Sequence, residues 1–143
     1  MLKTLSGRPS PCAIGEIGRL LASAEMLKTG IGVSRPEVDC GIDLISHFGS
    51  VTKLIQVKTR SGTSYGLTEN SETFKIGRNG NRLNPTYEAC YLDAFVFVSL
   101  ATDSFYVVPC SGIDLSKTSI SLKRDCDWKD AWHLLKVREN ASA

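Results

Sequence analysis

The chain has 143 residues and a formal net charge of +2, and 42% of its residues are hydrophobic. This length fits one domain with its own core and is short for two. So small a net charge neither indicates nor excludes a polyanionic partner, because positive charge can be unevenly distributed. We expect a single domain over residues 10–143, preceded by a flexible N-terminal arm over residues 1–9.

The cysteines and the lack of long apolar runs indicate the cellular compartment in which the protein is expected. The five cysteines are odd in number and form no CxxC pair, which argues against a disulfide framework and against a zinc ribbon. They are Cys12, Cys40, Cys90, Cys110 and Cys126. The first residues lack the apolar run of a signal peptide, and no segment is long enough to span a bilayer. These features predict a cytoplasmic protein of a reducing compartment.

The first predicted element is a helix that begins at Ser10 and Pro11 and stops at Gly30. Its apolar residues recur at helical spacing. They are Ile14, Ile17, Leu20, Leu21, Ala24 and Leu27. Glu16 lies about 100° from Ile17 on the helical wheel, at the border of this apolar stripe. Its carboxylate is therefore expected to point along the surface of the core toward a neighbouring strand.

Residues 38–60 are predicted to form two short strands joined by a turn. Asp43 stands near the start of the first strand, and Gln56 and Lys58 are two residues apart on the second. Side chains alternate across a strand, so Gln56 and Lys58 share one face while Val57 belongs to the other. The pattern predicts that a carboxylate, an amide and an amine converge on one spot.

The remaining sequence predicts a polar insert, a hairpin and a final helix. Residues 61–91 are rich in Gly, Ser, Thr and Asn, which is typical of loops or short irregular strands. Residues 93–100 and 104–110 are strongly β-prone and are separated by turn residues, which indicates a hairpin. Residues 125–137 are expected to form a helix with Asp127 as its N-cap. The order of elements predicts an α/β or α+β sandwich around one central sheet.

The spacing of the polar residues favours a metal-dependent phosphodiesterase site. Hydrolysis of a phosphodiester needs a cation, and hard cations such as Mg²⁺ prefer carboxylate and carbonyl oxygens. Asp43 is the first candidate ligand, the backbone carbonyl of Val57 a second, and Glu16 is placed to complete the set. Lys58 would stabilise developing negative charge or position a water, and the Gln56 carbonyl oxygen would accept from a metal-bound water.

The series Glu16, Asp43 and Gln56-Val57-Lys58 resembles the PD-(D/E)xK, or restriction-endonuclease-like, nuclease superfamily, in the variant with glutamine before xK. The QVKT segment, followed by a polar insert, a tyrosine, LDAFVFV and FYVVP, is most similar to group I intron-associated homing endonucleases and their Mrr-like relatives. The resemblance covers roughly residues 12–110. It implies an α/β fold with an αβββαβ core, whose central mixed sheet is flanked by helices.

The resemblance also implies an activity and the roles of individual residues. The expected activity is divalent-metal-dependent cleavage of double-stranded DNA by a homodimer or homotetramer, with Mg²⁺ as cofactor and Mn²⁺ as a substitute. By position, Asp43 and Glu16 are the metal-binding acids, and Gln56 and Lys58 are the QxK pair. Glutamine at position 56 leaves one fewer negative charge on the metal, which lowers cation affinity unless Glu16 compensates.

Basic residues that follow the second strand are the predicted DNA contacts, since lysine and arginine position nucleases on phosphates. They are Arg60, Lys75, Arg78 and Arg82. Two alternatives to a duplex endonuclease remain open on the sequence. One is a structure-specific nuclease like the Holliday-junction resolvases, which share this pattern. The other is a DNA-binding relative that has lost catalysis, and Gln56 is the residue that favours it.

Overall fold

One α-helix and seven strands make up the fold in the computed structural model, which describes residues 7–38, 41–62, 65–77 and 92–139. The helix is α1, Pro11–Lys28, and the strands are β1, Gly32–Ser34; β2, Leu44–Phe48; β3, Val51–Arg60; β4, Ser71–Lys75; β5, Ala94–Ser99; β6, Ser104–Pro109; and β7, Ser119–Lys123. Five strands form the main sheet in the order β1-β2-β3-β5-β6, and β4 and β7 form a second sheet. Only the β3–β5 pairing is parallel among these described pairs.

The first helix forms where the sequence predicts it, but its buried residues are Gly18, Ala22 and Met26. Leucines of the predicted apolar stripe, Leu20, Leu21 and Leu27, are exposed instead. The Ser10 hydroxyl accepts from the Ala13 N–H at 3.1 Å, which caps the helix, and Pro11 occupies its first turn. The helix ends at Lys28, and Gly30 then adopts φ +82°, which residues other than glycine rarely reach. In the part of the chain that the structure describes, no helix is long and apolar enough to cross a membrane.

The β5–β6 hairpin is confirmed, and β5 forms the centre of the molecule. Every residue of β5 is buried, because α1 packs on one face of the main sheet and the β4–β7 sheet on the other. On the α1 face, Ala22 and Met26 pack with the alternate β5 residues Val96 and Val98. On the opposite face, phenylalanines of β5 and Phe74 of β4 form the second core.

The expectation of a sheet flanked by helices is wrong for the described residues, which contain α1 as their one α-helix. The second face of the main sheet is instead covered by the β4–β7 pair. β4 lies within the insert for which the sequence indicates loops or short strands. Residues 78–91 of that insert and residues 1–6 of the expected arm lie outside the described residues.

The predicted C-terminal helix is also wrong, because the edge of β6 binds the backbone that would form it. The Val107 N–H donates to the Trp128 carbonyl at 2.9 Å, and Lys129 forms a bridge with Tyr106. These backbone groups therefore cannot join a helical hydrogen-bond ladder. Only a short 3₁₀ helix, Trp132–Leu135, follows in this segment, and Trp132 is buried in the core.

A buried carboxylate joins the two sheets. Glu72 of β4 has no exposed surface, and it accepts from the hydroxyls of Ser99 at 2.5 Å, Thr102 at 2.9 Å and Tyr106 at 2.7 Å. Burial by itself would raise the pKa of Glu72, but these three donors and the charge of Arg124 hold the pKa below its ordinary value. The ionised carboxylate thus anchors β4 to the β5–β6 hairpin.

We predict that Glu72→Gln lowers the free energy of unfolding by about 2 kcal/mol at neutral pH, because a charged acceptor of three buried hydroxyls is lost. The lowered pKa means that this stability is complete above the ordinary value of 4.5 and is lost as pH falls through the folded value. Urea denaturation at several pH values should therefore show the gap to wild type narrowing on acidification. Glu69→Gln, at an exposed position, is the control, and a gap independent of pH would contradict the prediction.

Candidate active site

The candidate site lies at the end of the main sheet where β3 extends beyond β2. The register pairs Leu44 with Ile55, so β2 begins where residues 56–60 of β3 continue. Asp43 precedes β2 and lies beside this extension. Its N–H donates to the Ile55 carbonyl at 2.9 Å, and its Oδ2 accepts from the Val57 N–H at 2.8 Å. The register of β2 therefore fixes the carboxylate against β3.

Gln56 and Lys58 lie on one face of β3, as the strand alternation predicts. They pair with Phe95 and Phe97 of β5, which belong to the core beneath the β4–β7 sheet. Gln56 is 6% exposed, and its Oε1 is buried with no hydrogen-bond partner among the described residues. An unpartnered buried oxygen is uncommon and indicates that a ligand or water completes its bonding.

Glu16 reaches the same end of the sheet from α1, where two arginines hold it. Arg35, just past β1, donates its Nη1 and Nη2 to the two carboxylate oxygens at 2.9 and 3.0 Å. Arg19 also pairs with Glu16, and its Nη1 lies 3.7 Å from Asp43 Oδ1. The bonds from Arg35 and the charge of Arg19 hold the pKa of Glu16 below its ordinary value. Arg19 therefore lies between the carboxylates of Glu16 and Asp43.

The oxygen atoms at this corner are of the type that hard cations bind. The N–H and C=O of one strand residue point to the same edge, so the Val57 carbonyl faces the side on which Asp43 lies. Together with the oxygens of Asp43, Glu16 and Gln56, this carbonyl would offer a cation oxygen ligands alone, a donor type that suits Mg²⁺ rather than Zn²⁺. Within the four described ranges, no group of three or more His, Cys, Asp or Glu could hold a metal. The residues fit a hard cation only when amide and carbonyl oxygens supplement the acids.

A cleft of about 590 Å³ opens beyond Lys58, between the end of β3 and the β4–β7 sheet. Three of the residues that line it are cationic: Lys58, Arg60 and Lys75. Many of the other lining residues carry hydroxyl groups. Among them is Tyr65, which is 87% exposed. Cations together with hydroxyl donors are the groups that contact phosphate oxygens.

Arg60 contributes its charge to the cleft while its hydrogen bonds go to the backbone. Its Nη1 donates to the carbonyls of Gly66 at 2.7 Å and Thr73 at 3.0 Å. Its Nη2 donates to the carbonyls of Gly62 at 3.0 Å and Tyr65 at 2.6 Å. This side chain therefore ties the backbone that follows β3 to β4, and it shapes the cleft.

A close approach between α1 and β3 sets the distance between the helix and the site. A Cβ on Gly18 would lie 1.8 Å from the Thr59 Oγ1, closer than any real contact. A Cβ on Gly15, one turn earlier, would meet nothing within 4 Å. The absence of a side chain at Gly18 is thus what allows α1 to lie against the end of β3 and to present Glu16 there.

The structure brings most of the predicted site residues to one end of the main sheet and places two of the predicted DNA contacts on one cleft. Arg78 and Arg82 lie outside the described residues. Sequence reasoning missed Arg19 and Arg35. The i,i+3 spacing of Glu16 and Arg19 on a helix was a usable signal, whereas Arg35 is 19 residues from Glu16 and gave none.

Comparison with known protein families decides the membership of this chain. Residues 10–135 match the family described as PD-(D/E)XK endonuclease. The chain belongs to the PD-(D/E)XK endonuclease family. The match includes α1, all seven strands and every residue of the candidate site. A search of curated proteins gave no significant match.

One of two similar solved structures supports the fold of this PD-(D/E)XK endonuclease. The bacterial homing endonuclease I-Ssp6803I is similar with a TM-score of 0.67 and 23% identity, over 89% of this chain and 91% of that one. Hjc of Archaeoglobus fulgidus, a Holliday junction resolvase from an archaeal hyperthermophile, gives a TM-score of 0.49 and 11% identity, over 77% and 84%. At 23% identity the first likeness establishes the shared restriction-endonuclease-like fold.

We predict that Gly18→Ala lowers the free energy of unfolding by about 2 kcal/mol, because the new methyl group overlaps Thr59 and forces α1 away from β3. The matched control is Gly15→Ala on the same helix. With open space around it, that change should raise stability by about 0.5–1 kcal/mol through helix propensity. Thermal and urea unfolding measure both, and equal effects of the two changes would contradict the close approach.

Proposed function

We propose that this chain is a divalent-metal-dependent endonuclease that hydrolyses phosphodiester bonds in double-stranded DNA. The observation that carries the proposal is the hydrogen bond from the Val57 N–H to the Asp43 carboxylate. It holds an acid beside the residue that separates Gln56 from Lys58, and this supports a shared role for the three side chains. Membership of the PD-(D/E)XK endonuclease family supports the same activity.

The proposed cation is Mg²⁺, with Mn²⁺ as a substitute, held by Asp43, the Val57 carbonyl, Gln56 Oε1 and Glu16. When bound, such a cation neutralises charge on a phosphate and lowers the pKa of a water. Glu16 supplies the second negative charge that Gln56 lacks. Its lowered pKa keeps that charge present at neutral pH.

Lys58 is the proposed partner of the scissile phosphate. It lines the cleft next to the point on β3 where Asp43 is bound, and there an ammonium stabilises the negative charge that develops on phosphate oxygens and orients the attacking water. Gln56 cannot take a proton at neutral pH, so its proposed role is to accept a hydrogen bond or to bind the cation through Oε1. Burial of Gln56 fixes that oxygen.

The cleft beyond Lys58 is the proposed path of the DNA backbone. Arg60 and Lys75 supply charge along it, and hydroxyls of Thr118 and Ser119 are available for phosphate contacts. We also propose, from their place in the sequence after β4, that Arg78 and Arg82 contact DNA phosphates. Phosphate contacts of this kind determine position and affinity, and sequence is recognised elsewhere.

We further propose that the enzyme acts as a homodimer or homotetramer inside the cell. One small site cuts one strand, so cleavage of a duplex needs at least two copies. The outer face of α1 supports an interface, since Leu20 and Leu27 are 56% and 61% exposed there. These two leucines, about two turns apart on the helix, would be covered in such an interface.

We predict that Asp43→Asn and Lys58→Ala each reduce Mg²⁺-dependent duplex cleavage by about a thousandfold or more. The asparagine oxygen can still accept from the Val57 N–H, so loss of activity would reflect the charge and not the fold. Asp93→Asn is the matched control, because the Asp93 Oδ2 accepts from the Leu54 N–H at 2.8 Å, three residues before Val57 on β3. It should retain activity. Full activity of both site variants would refute the proposed site.

A wild-type protein that binds duplex DNA and nicks none of a duplex, a single strand or a four-way junction with Mg²⁺ or Mn²⁺ would instead favour an inactive DNA-binding relative. Gel assays of the three substrates, each with and without metal, distinguish these outcomes.

We predict that Lys75→Ala weakens duplex binding and reduces the slope of log affinity against log salt concentration by about 1, because one phosphate contact is lost. Fluorescence anisotropy in Ca²⁺, at several salt concentrations, measures both quantities. Lys123→Ala is the control, since this exposed lysine of β7 does not line the cleft. Equal salt slopes for Lys75→Ala and wild type would place the DNA elsewhere.

A further inference from the structure

We propose that Arg19 keeps the candidate metal site closed to divalent cations until a DNA phosphate draws its guanidinium away, so that metal and DNA bind cooperatively. This inference rests on the proposed function and adds a regulation of that same site. The Arg19 side chain would then couple DNA binding in the cleft to metal binding by Glu16 and Asp43.

The position of Arg19 is the first observation. Its guanidinium pairs with Glu16 through Nη2, and its Nη1 lies 3.7 Å from Asp43 Oδ1. It therefore stands between the two carboxylates that a divalent cation would have to bind together. Like charges repel at such distances, so the guanidinium and a divalent cation compete for the same two acids.

Arg19 donates one hydrogen bond, from Nη2 to Glu16 Oε2, whereas both acids have other hydrogen-bond donors as well. Glu16 keeps both hydrogen bonds from Arg35 without Arg19, so its charge stays compensated when Arg19 leaves. The contact with Asp43 is longer than a hydrogen bond, and Asp43 is fixed separately by the Val57 N–H. The Nε of Arg19 is buried with no hydrogen-bond partner among the described residues. The acids can therefore stay in place while Arg19 moves.

A phosphate is the partner that would draw Arg19 away. Guanidinium groups bind phosphates through two parallel hydrogen bonds, which satisfies more N–H donors than the present contact with Asp43. The Arg19 side chain is 32% exposed, so it has access to solvent and to an arriving strand. Binding of a strand beside Lys58 would bring phosphate charge to this corner and release Asp43 for a cation.

Competition between Arg19 and the metal has a measurable consequence, because the binding of metal and the binding of DNA are thermodynamically linked. When DNA removes a competitor of the metal, DNA must raise metal affinity, and metal must raise DNA affinity by the same factor. Part of that factor is attributable to Arg19. Removal of the Arg19 charge should raise metal affinity in the absence of DNA. The further increase in metal affinity that DNA causes should then be smaller.

The test is calorimetric titration of the DNA-free protein with Ca²⁺, which reports binding without cleavage. Arg19→Met removes the charge at similar length, and we expect it to tighten Ca²⁺ binding by about tenfold. Arg19→Lys keeps a cation and should bind like wild type. Lys28→Met is the matched control on the same helix, because Lys28 pairs with Glu25 at 3.1 Å and should change nothing. If Arg19→Met does not fold, the same titration is made with Arg19→Gln.

The second arm measures DNA affinity with a fluorescein-labelled duplex of random sequence, with and without Ca²⁺. The factor by which Ca²⁺ strengthens binding should fall several-fold in Arg19→Met. Ca²⁺ affinity that is unchanged or weaker in Arg19→Met, or equally tightened in Arg19→Lys, would overturn the inference.

Asp43→Asn separates this inference from the proposed function. If Ca²⁺ binding depends on Asp43 but not on Arg19, only the inference is wrong. If neither wild type nor Arg19→Met binds Ca²⁺, or if Asp43→Asn binds it as tightly as wild type, the proposed metal site is wrong as well.

Discussion

The hydrogen bond from the Val57 N–H to the Asp43 carboxylate holds the candidate site together. β3 continues beyond β2, and the backbone groups along its edge need partners there. A carboxylate that satisfies one of them is fixed in place and brought next to the side chains on either side of Val57. On the opposite face of β3, Gly18 allows α1 to lie close to Thr59. This close approach brings Glu16 to the same end of the sheet.

Charge compensation is the second constraint on the site. Two carboxylates at one corner repel each other unless cations lie between or beside them. In this chain Arg35 neutralises Glu16 by a bidentate contact, and Arg19 stands between Glu16 and Asp43. With glutamine at position 56 the site has fewer acids than a site with glutamate there. In the proposed metal site, cation affinity would therefore depend on where these guanidinium groups lie, as well as on the ligands.

The second face of the main sheet shows why the expected helices are missing from the described residues. β4 and β7 cover this face, and the buried carboxylate of Glu72 anchors them through hydroxyls of the β5–β6 hairpin. At the far edge, the backbone of Trp128 bonds to β6 and so cannot form the helix that its sequence favours. At this edge, backbone pairing with a distant strand overrides the local preference for a helix.

The sequence by itself determined the features that depend on neighbours along the chain. The cap at Ser10, the end of α1 at Gly30, the β5–β6 hairpin and the shared face of Gln56 and Lys58 follow from short spacings and intrinsic preferences. Tertiary structure alone decided the contacts between distant segments. Arg35 meets Glu16 across 19 residues, and Glu72 meets Tyr106 across 34, because charge and burial are satisfied in space and leave no periodic signal in the sequence.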